Sequence, residues 1–403
     1  MIFKTLQLIA ISIFLACNPD VKVTGKQAIA DTLKNENLEI ITGADQPELY
    51  IPLLKNKKVG LVVNQTSMVD TLHLLDYLLA KNIKVVKIFA PEHGFRGNID
   101  RGGKVSNETD AKTGVPILSL FGNKQQTPEE MLRDLDLVVF DIQDVGVRFF
   151  TYISTMHQVM QACANVQKPL LILDRPNPLG DYIDGPVREN QLKSFVGMHP
   201  IPVVHGLTVA ELAQMINGEH WLDSNKTCDI TIIKVKNYTH KSKYIPPVKP
   251  SPNLPDYLSI RLYPSLCLFE ATNISIGRGT MFPFKVIGYP NPVFGSFTFT
   301  PQDIEGMQMN PENEGKLCYG IDLRNLNPDT IQFTLSYIID FYNKSDFKDT
   351  FVSRKKWFAQ LSGSNSLLGQ ITAGIPEQQI KALWQPQLDA YKTMRKKYLL
   401  YPD

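Results

Sequence analysis

Hydrophobic residues in this chain fall into short continuous runs that alternate with segments of helical spacing. The runs predicted to be buried strands are 59–64, 84–90, 116–120, 137–142 and 170–173. Between them, 69–80 places its leucines on one helical face, and 149–164 is also predicted to be a helix. Continuous apolar strands separated by helices indicate a parallel sheet that is covered on both faces. We therefore predict an α/β fold for the first part of the chain.

Two capping boxes and a proline-rich run divide the chain further. Thr127–Glu130 and Thr208–Glu211 both have the Thr-x-x-Glu pattern that begins helices. The run Ile245–Pro255 contains five prolines, which excludes a helix or a central strand there. Beyond it, short strands near 285–289 and 319–323 and helices around 330–342 and 377–398 are predicted. We place an α/β domain at 46–248 and a smaller α+β domain at 249–403.

The first residues have the pattern of an export signal. Lys4 precedes an apolar run, Leu6–Ala16, which is too short to span a bilayer. Because this run ends at Cys17, residues 1–16 resemble a bacterial lipoprotein signal and Cys17 the acylated residue. A plain secretory signal is the alternative. We predict a polar linker at 17–45 and an exported protein, lipid-anchored in the cell envelope and facing the periplasm, with no other membrane contact.

Composition narrows the classes of partner and cofactor. Of 403 residues, 43% are hydrophobic and 20% charged, and the formal net charge is +2. That charge, without a basic stripe, argues against nucleic acid as a partner. The remaining cysteines are widely spaced and form no C-x-x-C pair, so no zinc or redox motif is present. Disulfides and buried thiols are both compatible with this spacing.

Polar residues follow four of the predicted strands. They lie at 64–66, 92–96, 141–148 and 174–178. Carboxyl ends of parallel strands meet at one edge of the sheet, so these residues are predicted to converge on a cleft. Glu92 is the predicted general acid or base, because a carboxyl group between apolar walls can hold a proton near neutral pH. Its alternative role is to cap a helix or to pair with Arg96.

The neighbours of Glu92 offer further candidates. His93 can orient a substrate or Glu92, and Arg96 and Arg148 can bind an anionic group, although pairing with a local acid is the alternative. Asp144 is the candidate second carboxylate, whereas Asp141 is expected to brace a loop. Tyr152 lies one helical turn beyond Arg148 and is a candidate for the same cleft, with a core position as the alternative.

In the second domain, 270–280 is rich in polar and small residues. Glycines on both sides of Arg278 would let the backbone approach a ligand, or form a structural turn. The run lacks the spacing of a phosphate-binding loop. The chain also has neither a G-x-S-x-G elbow nor an H-E-x-x-H motif, and no second histidine lies near Glu92-His93. We predict no metal site and no cofactor.

These runs together resemble the exo-β-N-acetylmuramidase family, glycoside hydrolase family 171, once a bacterial domain of unknown function. The matching runs, in the same order, are 60–66, 91–97, 141–148 with Thr151-Tyr152, 173–178, 205–208, 251–255 and 270–280 with Pro283-Phe284. The resemblance implies a Rossmann-like first domain, a smaller second domain and an active-site cleft between them. It also implies release of non-reducing-end N-acetylmuramic acid from peptidoglycan disaccharides and muropeptides. Glu92 takes the position of the family's proposed catalytic glutamate.

The resemblance completes the predicted site. Glu92 and Asp144 are the predicted catalytic residues. The predicted substrate-binding residues are Asn64, His93, Arg96, Arg148, Tyr152, Asn177, His205, Asn253, Glu270, Asn273 and Arg278. The lactyl carboxylate of muramic acid would explain why an arginine is present in the site. The sugar's own 2-acetamido group is a candidate nucleophile. Two alternatives stay open: a metal-assisted deacetylase or amidase that uses Glu92, His93, Asp141 and Asp144, and a lipid-anchored module that only binds wall fragments. The oligomeric state is left open.

Overall fold

The computed structural model describes residues 38–92, 94–95, 108–120 and 129–403. Residues Ile40–Asp403 form one compact unit. The strands are β1 (Lys58–Val63), β2 (Met68–Val69), β3 (Leu72–His73), β4 (Lys84–Ala90), β5 (Glu108–Thr109), β6 (Pro116–Ser119), β7 (Leu137–Asp141), β8 (Leu170–Leu173), β9 (Ile230–Ile233), β10 (Val286–Tyr289), β11 (Phe297–Phe299) and β12 (Cys318–Asp322). The α-helices are α1 (Pro47–Leu54), α2 (Leu74–Ala80), α3 (Glu129–Leu132), α4 (Tyr152–Val166), α5 (Val209–Gly218), α6 (Tyr257–Leu266), α7 (Ser336–Lys344), α8 (Lys355–Ser362), α9 (Leu367–Thr372) and α10 (Glu377–Arg395).

Seven strands form the main sheet, in the order β5-β6-β4-β1-β7-β8-β9. Every neighbouring pair is parallel except β5 with β6. The predicted α/β fold is therefore confirmed. Because β4, β1, β7 and β8 are adjacent and parallel, the segments that follow them lie at the same edge of the sheet.

Alternate residues of the central strands pack on opposite faces. In β1, Val62 belongs to one apolar cluster while Leu61 and Val63 belong to the other. Helices α4 and α5 cover the first face, and α1 and α2 cover the second. This burial on both faces explains why the strands read as unbroken apolar runs.

The smaller C-terminal part contains a three-stranded antiparallel sheet, β10-β12-β11, and the helices α7 to α10. The apolar cluster on the first face of the main sheet continues into this part, where it includes Phe341 and Trp384. The two predicted domains therefore share one core within the compact unit. The proline-rich run between them has neither helix nor strand up to Pro250, as predicted.

The structure differs from the prediction at several boundaries. The predicted helix at 69–80 begins only at Leu74, because Asp70 adopts a left-handed conformation in the tight turn that joins β2 to β3. The compact unit also starts before the predicted end of the linker at residue 45, since the Ile41 backbone pairs with Lys236. Within the described part of the chain, no helix is long and apolar enough to cross a membrane.

Candidate active site

A cavity of about 570 Å³ lies beside the carboxyl edge of the sheet, with a wall from each part of the chain. This volume falls in the range of ordinary small-ligand sites. The sheet part contributes Glu92, Phe149, Phe150, Thr151, Tyr152, Ser194, Phe195 and Val196. The remaining lining residues are Ser251, Asn253, Leu254, Tyr263, Cys267, Glu270, Arg278, Phe284, Gln308, Trp357, Gln360 and Leu361.

Glu92 is placed by a turn that follows β4 directly. The Gly94 N–H donates to the Pro91 carbonyl at 3.0 Å, and Gly94 has a φ of 76°, which favours glycine. Phe95 then enters the core against the His73 ring. The Ala90 carbonyl accepts a hydrogen bond from the Leu120 N–H at 2.8 Å. The turn is thus fixed on both sides, and the half-buried Glu92 carboxylate lies in the cavity wall.

Helix α4 supplies the groups that hold Glu92. The Thr151 hydroxyl donates to Glu92 Oε2 at 2.7 Å. Thr151 is the N-cap residue of α4 but makes no side-chain capping bond, so its hydroxyl serves the carboxylate instead. The Tyr152 hydroxyl lies 3.2 Å from the Pro250 carbonyl and 3.5 Å from the Glu92 carbonyl. Burial, with the nearby Glu92 charge, raises the pKa of Tyr152, which keeps it a neutral donor.

The opposite wall holds an ion pair. Arg278 donates to Glu270, and its other terminal nitrogen donates to Gln308 Oε1 at 3.2 Å. The guanidinium lies 4.9 Å from the centre of the Phe284 ring. Glycines on both sides of Arg278 have positive φ, and a Cβ on either would collide with neighbouring backbone or Pro311. They therefore form a tight turn that fixes Arg278.

Apolar and aromatic side chains make up much of the cavity lining. The Tyr263 ring meets Phe149, Phe150 and Phe284 in edge-to-face contacts, with centroids 5.0 to 6.1 Å apart. Trp357 of α8 contributes from the far end of the chain. Such walls suit the apolar faces of a sugar ring, and they strengthen electrostatic contacts by excluding water.

Five of the predicted site residues line the cavity: Glu92, Tyr152, Asn253, Glu270 and Arg278. The Asn253 amide donates to the Met307 carbonyl at 2.7 Å, and its Oδ1 is buried without a partner. Asn253 also lies in the short turn Ser251–Leu254 that ends the proline-rich run. This turn brings the junction of the two parts to the cavity.

Arg148 does not reach the cavity, contrary to its predicted substrate-binding role. Its guanidinium is fully buried and donates to the carbonyls of Pro186, Ile201 and Leu361, at 2.7 to 2.9 Å. Burial, followed by the charge of Arg188, lowers its pKa to about 9. With its terminal nitrogens bound to three carbonyls, Arg148 has a structural role: it ties α8 to the sheet part.

Asp144, predicted to be catalytic, and His205, predicted to bind substrate, also lie outside the cavity lining. Asp144 accepts from the Gly146 N–H at 2.6 Å, and burial raises its pKa to about 7. His205 Nε2 is 3.8 Å from this carboxylate. Burial lowers the pKa of His205 to about 3, and its Nδ1 accepts from the Leu207 N–H, so the ring is neutral. Each side chain accepts a hydrogen bond from the backbone N–H two residues further along its own loop.

Three predicted asparagines make hydrogen bonds within the protein. Asn64 Oδ1 accepts from the N–H and the hydroxyl of Thr66, and Asn177 holds Leu179 and Leu207. Asn273 donates to the Thr350 carbonyl at 3.2 Å. None of the three lines the described cavity. They connect loops at the sheet edge and in the C-terminal part.

Asp141 has the expected bracing role. It forms a buried bidentate ion pair with Arg175, at 2.5 and 2.9 Å, and so joins the ends of β7 and β8. Among the described residues, no three His, Cys, Asp or Glu side chains are arranged to hold a metal ion. The four cysteines of the described part are buried and unpaired as disulfides. His93, Arg96 and Cys17 lie outside the described residues.

Sequence reasoning missed several lining residues, above all Thr151, Phe195 and Trp357. Thr151 belongs to one of the runs that match the family, and a hydroxyl residue directly before a helix is a signal that can identify it. Trp357 is one of three tryptophans in the chain. No spacing relates it to the residues around Glu92, so only the fold brings them together.

Comparison with known proteins identifies the family to which the chain belongs. Residues 59–258 match the family model for the N-terminal part of the exo-β-N-acetylmuramidase NamZ, and residues 261–401 match the model for its C-terminal part. The chain belongs to the NamZ family. The peptidoglycan β-N-acetylmuramidase NamZ of Bacillus subtilis (strain 168) is 36% identical over 414 aligned residues, covering 94% of this chain and 96% of that protein.

Two solved structures have the same fold as this chain. A DUF1343 family protein of Bacteroides fragilis NCTC 9343 is 47% identical with a TM-score of 0.85, and covers 91% of this chain and 100% of its own. A second DUF1343 protein from the same strain is 28% identical, with a TM-score of 0.78 and the same coverage. The matched family model and the Bacillus relative are β-N-acetylmuramidases, which are glycosidases. The prediction that this chain is a glycosidase is therefore confirmed.

Proposed function

We propose that this protein removes β-linked N-acetylmuramic acid from the non-reducing end of peptidoglycan fragments, with Glu92 as the general acid. The observation that carries this proposal is the Glu92 carboxylate in the cavity wall, held by the Thr151 hydroxyl on a fixed turn. Hydrolysis of a glycosidic bond needs a proton for the leaving oxygen. Glu92 is an acid on a rigid support, next to a space large enough for a sugar.

The nucleophile of the reaction is assigned to the substrate itself. Glu92 and Glu270 are the carboxylates among the described lining residues, and Glu270 forms the ion pair with Arg278. We therefore propose that the 2-acetamido oxygen of the sugar attacks the anomeric carbon as Glu92 protonates the departing oxygen. Water then opens the cyclic intermediate, with Glu92 now as the base. Two inversions give net retention, so NMR should show the β anomer of free N-acetylmuramic acid as the first product.

The direct test uses matched chromogenic β-N-acetylmuramide and β-N-acetylglucosaminide substrates. We expect release of the chromophore from the muramide and much slower release from the glucosaminide. Glu92→Gln should lower kcat for the muramide by about 10²- to 10⁴-fold, the range of general acid–base catalysis. A wild-type rate in this variant would remove Glu92 from the catalytic role.

Glu219→Gln is the matched control. Glu219 also accepts a hydrogen bond from a hydroxyl, that of Tyr398 at 2.6 Å, but it lies outside the cavity. The Glu219→Gln variant should keep the wild-type kcat. Activity that disappears with a chelator and returns with a divalent metal would instead favour a metal-assisted hydrolase. Binding of the disaccharide without release of sugar would favour a binding module.

We further propose that the chain is exported and lipid-anchored through Cys17. The support is the apolar run Leu6–Ala16, which ends at this cysteine. Full-length protein produced with a radiolabelled fatty acid should be labelled, and Cys17→Ser should not. Equal labelling of both proteins would contradict the anchor, and secretion without labelling would support a plain signal peptide.

A further inference from the structure

We propose that Arg278 recognises the lactyl carboxylate of N-acetylmuramic acid and sets the preference of the cavity for this sugar over N-acetylglucosamine. The inference rests on the function proposed above and adds to it the residue that selects the substrate. The two sugars differ only in the lactyl ether on O3, whose one charged group is a carboxylate. A selective cavity therefore needs a group that favours this charge.

Arg278 is the single cationic side chain among the described residues that line the cavity. A carboxylate that leaves water for an apolar site is costly unless it is paired and hydrogen-bonded. The phenylalanine, tyrosine and leucine side chains of the lining offer no compensating charge. Of the described groups, the Arg278 guanidinium is the one that can provide it.

Arg278 also has hydrogen-bond donors that no acceptor among the described residues uses. A guanidinium carries five N–H donors, and those of Arg278 have two acceptors, Glu270 and Gln308 Oε1. Its Nε is buried and has no partner. The unused donors can receive a carboxylate while the bonds to Glu270 and Gln308 remain. A shared guanidinium of this kind binds two carboxylates at once, which a lysine does less well.

The surroundings of Arg278 hold the guanidinium ready for this role. Its side chain is 13% exposed, and it is fixed by Glu270, Gln308 and the Phe284 ring. Glu270 compensates the buried positive charge before substrate arrives. Because the guanidinium is already ordered, little side-chain entropy is lost when the substrate binds.

The test measures binding and hydrolysis separately. Calorimetry with free N-acetylmuramic acid, its methyl ester and N-acetylglucosamine reports on charge recognition without any catalytic step. We expect the wild type to bind the acid more tightly than the ester. Arg278→Met should reduce this acid-to-ester preference by about 10- to 100-fold, the loss expected for hydrogen bonds to a charged group. The kcat/KM ratio of muramide to its methyl ester should fall to a similar extent.

Arg324→Met is the matched control. Arg324 also pairs with a carboxylate, Asp322 at 2.7 Å, and lies 4.3 Å from the Phe282 ring, but it is outside the cavity. It should leave the acid-to-ester preference unchanged. Where Arg278→Met does not fold, Arg278→Lys decides: a loss of preference of about fivefold or more supports the proposal, since lysine keeps the charge but loses the planar fork.

The outcomes separate this inference from the proposed function. A folded Arg278→Met protein that keeps the wild-type acid-to-ester preference overturns the role of Arg278, whatever its activity. A wild type without any preference for the acid overturns it as well. If the wild type hydrolyses no muramide, yet its preference for the acid disappears in Arg278→Met, the proposed reaction is wrong and the recognition by Arg278 stands.

Discussion

Replacement of Thr151 by valine tests how the Glu92 carboxylate is held. Thr151 donates its hydroxyl to Glu92 Oε2 at 2.7 Å and makes no capping bond to α4. Valine has nearly the same shape, so the change removes this one bond and leaves the helix start unaltered. We therefore expect the effect to fall on catalysis and not on folding.

The magnitude follows from the type of bond. A hydrogen bond to a charged group contributes about 1.5 to 3 kcal/mol, and Glu92 is only half-buried, so the lower part of this range applies. A loss of about 1.5 to 2 kcal/mol in the transition state corresponds to a decrease in kcat of roughly 10- to 30-fold. KM should change little, because Thr151 acts on the acid and not on the bound sugar.

The assay compares kcat and KM of the muramide substrate for Thr151→Val, Thr151→Ser and Thr155→Val. Serine keeps the hydroxyl and should restore most of the rate. Thr155 lies one turn further along α4 and does not line the cavity, so its replacement should leave kcat unchanged. Two results would refute the reasoning: wild-type kcat in Thr151→Val, or an equally low kcat in Thr151→Ser when both variants melt at the wild-type temperature.

Two other buried carboxylates give predictions of a different kind. Asp144→Asn should keep nearly wild-type kcat. Burial raises the pKa of Asp144 to about 7. The contribution of this residue to the free energy of unfolding is therefore full below pH about 4 and is lost as the pH rises through 7. The excess of unfolding free energy at pH 4.5 over pH 7.5, measured in urea, should therefore be smaller in Asp144→Asn than in the wild type, and an unchanged excess would count against this pKa. Arg175→Met leaves Asp141 buried without its partner and should cost about 3 to 5 kcal/mol of unfolding free energy, while Lys344→Met, which breaks an exposed pair, should cost about 0.5 kcal/mol or less. Equal urea midpoints for the latter two variants would contradict the structural role of Arg175.

Much of the sheet could be predicted because its central strands are buried on both faces. The run 84–90 coincides with β4, and 137–142 ends one residue beyond β7. Edge strands are harder, as β9 shows: Ile230–Ile233 is partly exposed and contains a threonine, so it lacks a continuous apolar run. Helix α6 was also missed, because Pro264 lies inside it and the proline-rich run precedes it.

Site residues could be predicted where the neighbouring sequence determines their position in the fold. Glu92 follows its strand directly, and Arg278 lies in a turn marked by its own glycines. Arg148 has the right residue type after a strand, but its acceptors are carbonyls up to 213 residues away in sequence. Their identity depends on how α8 packs, which no local pattern reveals. Trp357 was missed for the same reason.

The most direct test of the central claim is hydrolysis of the unmodified disaccharide N-acetylmuramyl-β-1,4-N-acetylglucosamine by wild-type protein and Glu92→Gln. Products are measured by mass spectrometry and binding by calorimetry. We predict equal amounts of the two free sugars from the wild type. In Glu92→Gln the rate should be about 10² to 10⁴ times lower while the Kd stays near that of the wild type. Hydrolysis by Glu92→Gln at the wild-type rate, or none by the wild type, would contradict the account.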